Sequence, residues 1–317
     1  MRELVLSSFF SFMLVADEEE GHCMRLNLGE SYWLMLLPAL IVLAAITFPP
    51  FFYSIYLSVH DVDLTKPYLG RPFVGVNNFI TLFQDSRALN SFLNTGILVG
   101  SMVAIEFVLG LLIALLIDTY FPKATWLITL IIIPMTFPRV VVGLVWRIML
   151  NPLIGVVNYL LQFLGLGAVD WLADPTMAMV SIIAVDVWQW TAFIVLLLLA
   201  GFQTLPKEPF DAAKVDGASG MDVFRYITIP LLQPVIVVAL VFRVIDALRT
   251  FDIVYIMTRG GPGTSTETVD IFAYYIGISE AGRISYAAAV SLVMLFVTIV
   301  LITIFLRFSE QWQEEMY

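Results

Sequence analysis

The sequence predicts an all-α, polytopic membrane protein, and three observations carry that prediction. Hydrophobic residues make up 60% of the 317 and charged residues only 13%, whereas a soluble domain has about 45–50% apolar and 25% charged residues. The apolar residues gather in six blocks of 22 to 27 residues, at 33–57, 92–117, 126–150, 177–202, 231–257 and 285–306. Each block matches the ~20 residues that cross a bilayer core. The short alternating strands of a barrel are not evident, and a chain inside hydrocarbon must pair its own N–H and C=O groups, so the blocks are read as helices. Six spans place both ends on one side of the membrane.

Composition also excludes several chemistries. Cys23 is the one cysteine and the two histidines are His22 and His60, too few for a disulfide framework or a Cys/His metal cluster. The acidic run from Asp17 to Glu20 is unlike the small residues that precede a lipid-modified cysteine, so Cys23 is read as inert. A net charge of −10 with scattered Lys and Arg argues against nucleic acid as a partner. Neither a nucleophile elbow nor a phosphate-binding Gly-rich loop is found, so no enzymatic activity is expected of this chain.

Taken in order, residues 1–32 read as an N-terminal extension, cytoplasmic or interfacial. The apolar stretch 4–16 behind Arg2 is too short to span; it reads as an interfacial segment, a partial anchor, or a translated extension ahead of a natural start at Met24. A six-span domain over 33–307 follows, then an acidic tail, 308–317. Pro49 and Pro50 in the first span and Pro134 and Pro138 in the third are expected to bend their helices. Glu106 in the second span and Arg139 in the third lack a nearby opposite charge in sequence, and pairing with each other or with a partner subunit is expected.

The fourth span offers Asp186, Trp188, Gln189, Trp190 and Phe193, a mixture of rings and hydrogen-bonding groups that suits a sugar's apolar faces and hydroxyl rim, as it also suits interfacial anchoring. In the fifth, Arg243, Asp246, Arg249 and Asp252 recur every three residues with alternating sign. That spacing lets them neutralise one another along the helix, either as a structural ladder or as a polar wall. Each would cost about 2.5–3.5 kcal/mol unpaired at mid-membrane.

Loop charges do not set the orientation. With the ends inside, seven Lys and Arg fall on the inner side and six on the outer, nearly neutral for the positive-inside rule. The loop 204–230 is more informative. Pro209 suits a first helical turn, Asp211 lies where the helix dipole favours a carboxylate, Phe210, Ala213 and Lys214 repeat at helical spacing, and Gly217 is a natural stop. A short helix outside the membrane follows. On the residues alone, a capped surface helix explains it as well as a docking helix does.

The same loop carries a resemblance to the permeases of binding-protein-dependent ABC importers. Their signature is Glu-Ala-Ala, three residues, Gly, nine residues, Ile-x-Leu-Pro; here Asp211-Ala212-Ala213, Gly217 and Ile227-Thr228-Ile229-Pro230 keep that spacing. Asp211 replaces Glu and Ile229 replaces Leu. The likeness runs from Trp33 to Leu306 and is greatest to the carbohydrate-uptake branch, of maltose- and trehalose-type first permease. It is carried by Phe73 to Phe79, Leu93-Asn94-Thr95, Ile133-Pro134, Pro138, Trp146, Asn151-Pro152, Gly155, Asn158-Tyr159-Leu160 and Thr258 to Gly263.

The resemblance implies a type I importer permease fold in the inner membrane, both termini cytoplasmic, with the 204–230 loop as the coupling element. Asp211, Ala212, Ala213, Asp216, Gly217, Ile227 and Pro230 would contact the ATPase. It implies a second permease as heterodimer partner, two ATPase subunits that hold ATP and Mg, an extracytoplasmic sugar-binding protein, surrounding lipid, and no cofactor on this chain. Aligning Gly260-Gly261-Pro262 places Arg243, Asp246, Ala247 and Thr250 at the substrate-facing positions, beside the fourth-span set. The expected cargo is a di- or oligosaccharide such as trehalose or maltose. The competing reading is an ion-coupled secondary transporter in which Asp246 or Asp252 binds the coupling ion, although no inverted repeat is evident.

Overall fold

The computed structural model describes residues 28–66, 68, 70–121 and 124–314. Most of the N-terminal extension, with His22, Cys23 and the acidic run 17–20, lies outside the described residues. The chain divides into two compact units, 1–53 and 54–317. The described part of the first is the beginning of helix α1, Leu28–Ser58, which holds Pro38, Pro49 and Pro50 without interruption of its helical assignment. Its segment 36–58 is apolar and long enough to cross a membrane.

The second unit is helical throughout its core. After α2 (Asn77–Gln84) comes α3 (Ser86–Tyr120), whose 35 residues extend about 52 Å at 1.5 Å per residue, more than a ~30 Å hydrocarbon layer requires. Asp85 starts it, accepting from the backbone N–H of Arg87 at 2.9 Å. The next span is broken: α4 (Thr125–Thr136) and α5 (Arg139–Met149) meet at 90°. Pro138 explains the break, since it has no N–H to donate and forces the preceding residue out of helical conformation. Proline bending in this span was expected; a right-angled elbow is sharper than a kink.

Helix α6 (Val156–Phe163) leads to α7 (Pro175–Phe202), capped by Asp174 on the N–H groups of Thr176 and Met177 at 2.9 and 2.8 Å. Helix α7 packs along α3. At Gly110 a Cβ would lie 2.6 Å from the Ile194 side chain, so only glycine permits this approach. The short α8 (Glu208–Val215) and α9 (Gly220–Val223) follow. A wide π turn, Phe224–Thr228, then joins α9 to α10 (Ile229–Ala247). Pro230 accounts for that turn, because its ring crowds the normal helical path and it cannot donate.

The fifth span therefore covers 220–247 and not 231–257. Helix α10 stops at Ala247, and Phe251–Met257 forms a separate helix, α11. The pattern of a charge every three residues is cut at this break, which corrects the expected continuous ladder from Arg243 to Asp252. Helix α12 (Val269–Tyr274) and α13 (Ile284–Glu314) complete the chain. The backbone of α13 continues through most of the segment expected to be a separate tail.

Several fragments that carried the family likeness prove to be fasteners of the loops. Asn94 donates to the carbonyls of Thr264 and Glu267 at 2.8 and 3.2 Å, and Thr95 accepts from the N–H of Val269 at 3.0 Å. Asn78 donates to the carbonyls of Ser58 and His60. Asn158 accepts from the Trp171 indole at 2.8 Å and donates to Val169 at 3.0 Å. Arg87 forks onto both oxygens of the buried Glu267 at 2.8 and 2.7 Å, a bidentate geometry peculiar to arginine. The start of α3 is thereby bound to the 258–268 loop.

Candidate functional site

Two regions bear on function. The first is α8. Pro209 sits at its start, Asp211 in its first turn, and Asp216 just beyond its end. Gly217 has φ +73° and no atom within 4 Å of a notional Cβ, so the turn demands glycine for backbone reasons alone. Ala213 is buried against the chain, whereas Asp211, Ala212 and Asp216 face outward. Of the two alanines, only Ala213 packs within this chain, and Ala212 leaves a small exposed step. Lys214 donates to Asp211 at 3.1 Å, with both side chains open to solvent. Ile227 lies in the π turn and Pro230 in the first turn of α10.

The second region lies in the bundle interior. Arg243 of α10 is fully buried, as are Glu106 of α3 and Asp186 of α7. The Arg243 guanidinium holds both oxygens of Glu106, one of them from Nη2 at 2.8 Å, and donates to Asp186 and, at 3.2 Å, to Asp246. Arg139, the first residue of α5, donates to the same Asp246 oxygen and to the carbonyl of Arg249, the latter at 3.2 Å. The Trp190 ring lies close to both cations, 4.9 Å from the Arg139 centre and 5.6 Å from that of Arg243. Gln189 donates to the Phe137 carbonyl at 2.8 Å. The elbow at Phe137-Pro138 is thus held from both sides, by α7 through Gln189 and by α10 through Arg139.

This arrangement corrects several expectations. Glu106 and Arg139 do not pair with each other; each takes a fifth-span partner. Arg243 is neutralised mainly across helices rather than along its own. Of the residues expected to line a path, Arg243, Asp186, Gln189, Ala247 and Thr250 are closed to solvent, and Thr250 spends its hydroxyl on the Ala247 carbonyl. Asp246 remains open, its side chain 38% exposed. Trp188 points elsewhere, into an apolar groove of about 660 Å³ with Ile105, Leu109, Pro134 and Val180. Phe193 packs into the apolar core near Ala114 and Ile194.

The cluster itself had a sequence signal. Five charges lie within four separate apolar blocks, and the expense of each demands a partner within the bundle. Which partner was decided by helix packing. Beyond the spans, Asp270 of α12 has its carboxyl pushed above the ordinary value by burial, offset in part by the positive charge of Arg249.

The apolar spans, one of them broken at a right angle, and the exposed α8 outside them define a polytopic helical membrane protein. The chain belongs to the family described as binding-protein-dependent transport system inner membrane component, which matches residues 96–313. It is 36% identical over 252 residues to the trehalose/maltose transport system permease protein MalF of Thermococcus litoralis, covering 79% of this chain and 84% of that one. It is 35% identical over 274 residues to the sulfoquinovosyl glycerol transport system permease protein SmoG of Agrobacterium fabrum, covering 86% and 88%. Among solved structures, a chain of a bacterial alginate ABC transporter in complex with an alginate-bound periplasmic protein superposes with a TM-score of 0.76 at 25% identity, over 88% of this chain and 94% of that chain. The fold expected of an importer permease is the fold observed.

Proposed function

We propose that this chain is one of two membrane-spanning subunits of an ABC importer for a sugar, a di- or oligosaccharide of the trehalose or maltose class. A second permease would complete the path. ATP and Mg would be held by two separate ATPase subunits, and an extracytoplasmic binding protein would deliver the sugar. The observation that carries this reading is α8: an exposed helix with Asp211 and Ala212 outward, ended at a glycine of positive φ, within a segment spaced as in importer permeases. The names of the relatives, which refer to trehalose, maltose and other glycosides, support the sugar class. In this reading α8 faces the cytoplasm, both termini lie on that side, and the 258–268 loop lies on the outer side.

Deleting residues 211–217 tests it in the co-expressed assembly. The expected result is loss of ATPase copurification and of ATP-driven uptake, with the membrane helices still folded by circular dichroism. Uptake that survives the deletion and follows an ion gradient overturns the importer reading in favour of a secondary transporter.

A further inference from the structure

We propose that Asp246 makes this permease selective for neutral glycosides and against acidic ones. The inference rests on the sugar-importer reading and adds the charge class of the cargo.

The buried cluster contains three carboxylates, Glu106, Asp186 and Asp246, and two guanidinium groups, Arg139 and Arg243. Both cations are already used. Arg243 has no exposed side-chain surface and spends its donors on the three acids. The Arg139 side chain is 13% exposed and bonds Asp246 and the Arg249 carbonyl. Trp190 lies against both guanidinium groups. The member of the cluster most open to solvent is Asp246, in the last turn of α10 beside the break at 248–250. One of its oxygens holds both arginines, and the other has no hydrogen-bond partner among the described residues.

A solute reaching the break therefore meets a carboxylate oxygen with free acceptor capacity, and the guanidinium groups stand behind it. Sugar hydroxyls donate to such an oxygen with a charge-assisted bond. A uronate or sulfonate brings like charge against it in a medium less polar than water, where repulsion is strengthened. Arg249 lies exposed at the same break, but Asp252 is exposed beside it and Asp270 feels its charge.

The test uses the full complex, with its ATPase subunits and binding protein, in nanodiscs locked with ATP in the absence of hydrolysis. Retention of labelled trehalose and maltotriose is compared with retention of labelled digalacturonate. We expect the acidic sugar to bind at least about tenfold more weakly, Asp246→Asn to reduce that difference to under about threefold, and Asp246→Glu to preserve it. Because exposed charges are screened by salt, the wild-type difference should also shrink between 20 and 500 mM NaCl, which provides a readout should the Asn variant fail to assemble. Equal binding of the two kinds by the wild-type complex, or a difference that neither Asp246→Asn nor salt reduces, overturns this inference and leaves the sugar reading intact. Retention of no sugar of either kind overturns the sugar reading and this inference with it.

Discussion

At α8, Asp211 meets Lys214 at 3.1 Å with both side chains in solvent; in the interior, Arg243 meets Glu106 and Asp186 with none of the three exposed. The chemistry of the two pairings is the same and their consequences are opposite. An exposed pair three residues apart contributes a few tenths of a kcal/mol, so the charges of α8 add little to the fold. A buried pair costs several kcal/mol when one member is lost, because the other remains desolvated. The interior cluster therefore fixes which helices sit together, whereas the Asp211–Lys214 pair fixes nothing beyond its own helix.

Arg243→Leu tests that contrast most severely. It strands Glu106 and Asp186, and we expect a loss of about 3–5 kcal/mol, seen as failure to accumulate a folded chain in the membrane. Glu106→Gln in the same background should recover part of it, because one stranded charge is removed. A variant with wild-type expression and melting temperature would show that the cluster contributes little to the fold.

Gly217→Pro should break the other half. Proline holds φ near −65°, whereas Gly217 has φ +73° and donates to the Lys214 carbonyl at 3.2 Å. Since nothing lies within 4 Å of its notional Cβ, the bundle should melt within about 2 °C of wild type, a shift of under 1 kcal/mol. Sugar-stimulated ATPase activity of the assembled complex should fall about tenfold or more, at least 1.4 kcal/mol of coupling. Unchanged stimulation would remove α8 from the coupling path.

These expectations also mark how much the sequence could disclose. The α8 helix was legible because its cues are local: Pro209, the period of Phe210 and Ala213, and Gly217 fall within nine residues. The spans were legible by length and apolarity. The charge cluster was legible only as a demand, since Glu106 and Arg243 stand 137 positions apart and the choice between Arg139 and Arg243 as the partner of Glu106 is made by the packing of α3, α7 and α10. The break at 248–250 was hidden by the charge spacing, since Arg243, Asp246, Arg249 and Asp252 keep a period of three residues straight across it. The anchoring of the elbow was not legible, because Gln189 reads as pore lining until its amide is seen on the Phe137 carbonyl.

Gln189 sharpens the comparison at intermediate scale. Gln189→Leu keeps the volume and removes the donor from a carbonyl at the elbow, with an expected cost of about 1–3 kcal/mol. The chain should still fold, and uptake should fall while ATPase copurification through α8 is unchanged. If uptake and melting temperature both match wild type, the elbow is held by Arg139 and Pro138 without help from α7.

Asp270 is the smallest and the most specific case. Its carboxyl lies outside the spans and its pKa is raised from 3.8 by burial, with Arg249 pulling the other way. A raised carboxyl pKa means that the folded chain holds its proton more tightly than the unfolded chain does. Stability is therefore undiminished below pH 3.8 and declines as pH rises from there through the folded pKa. Asp270→Asn abolishes that decline. At neutral pH the variant should melt higher by about 1–2 °C, well under 1 kcal/mol, and the gain should vanish near pH 3.5. A gain that persists at the acidic end would mean that the asparagine acts by a new hydrogen bond and that charge burial at Asp270 is not the cause.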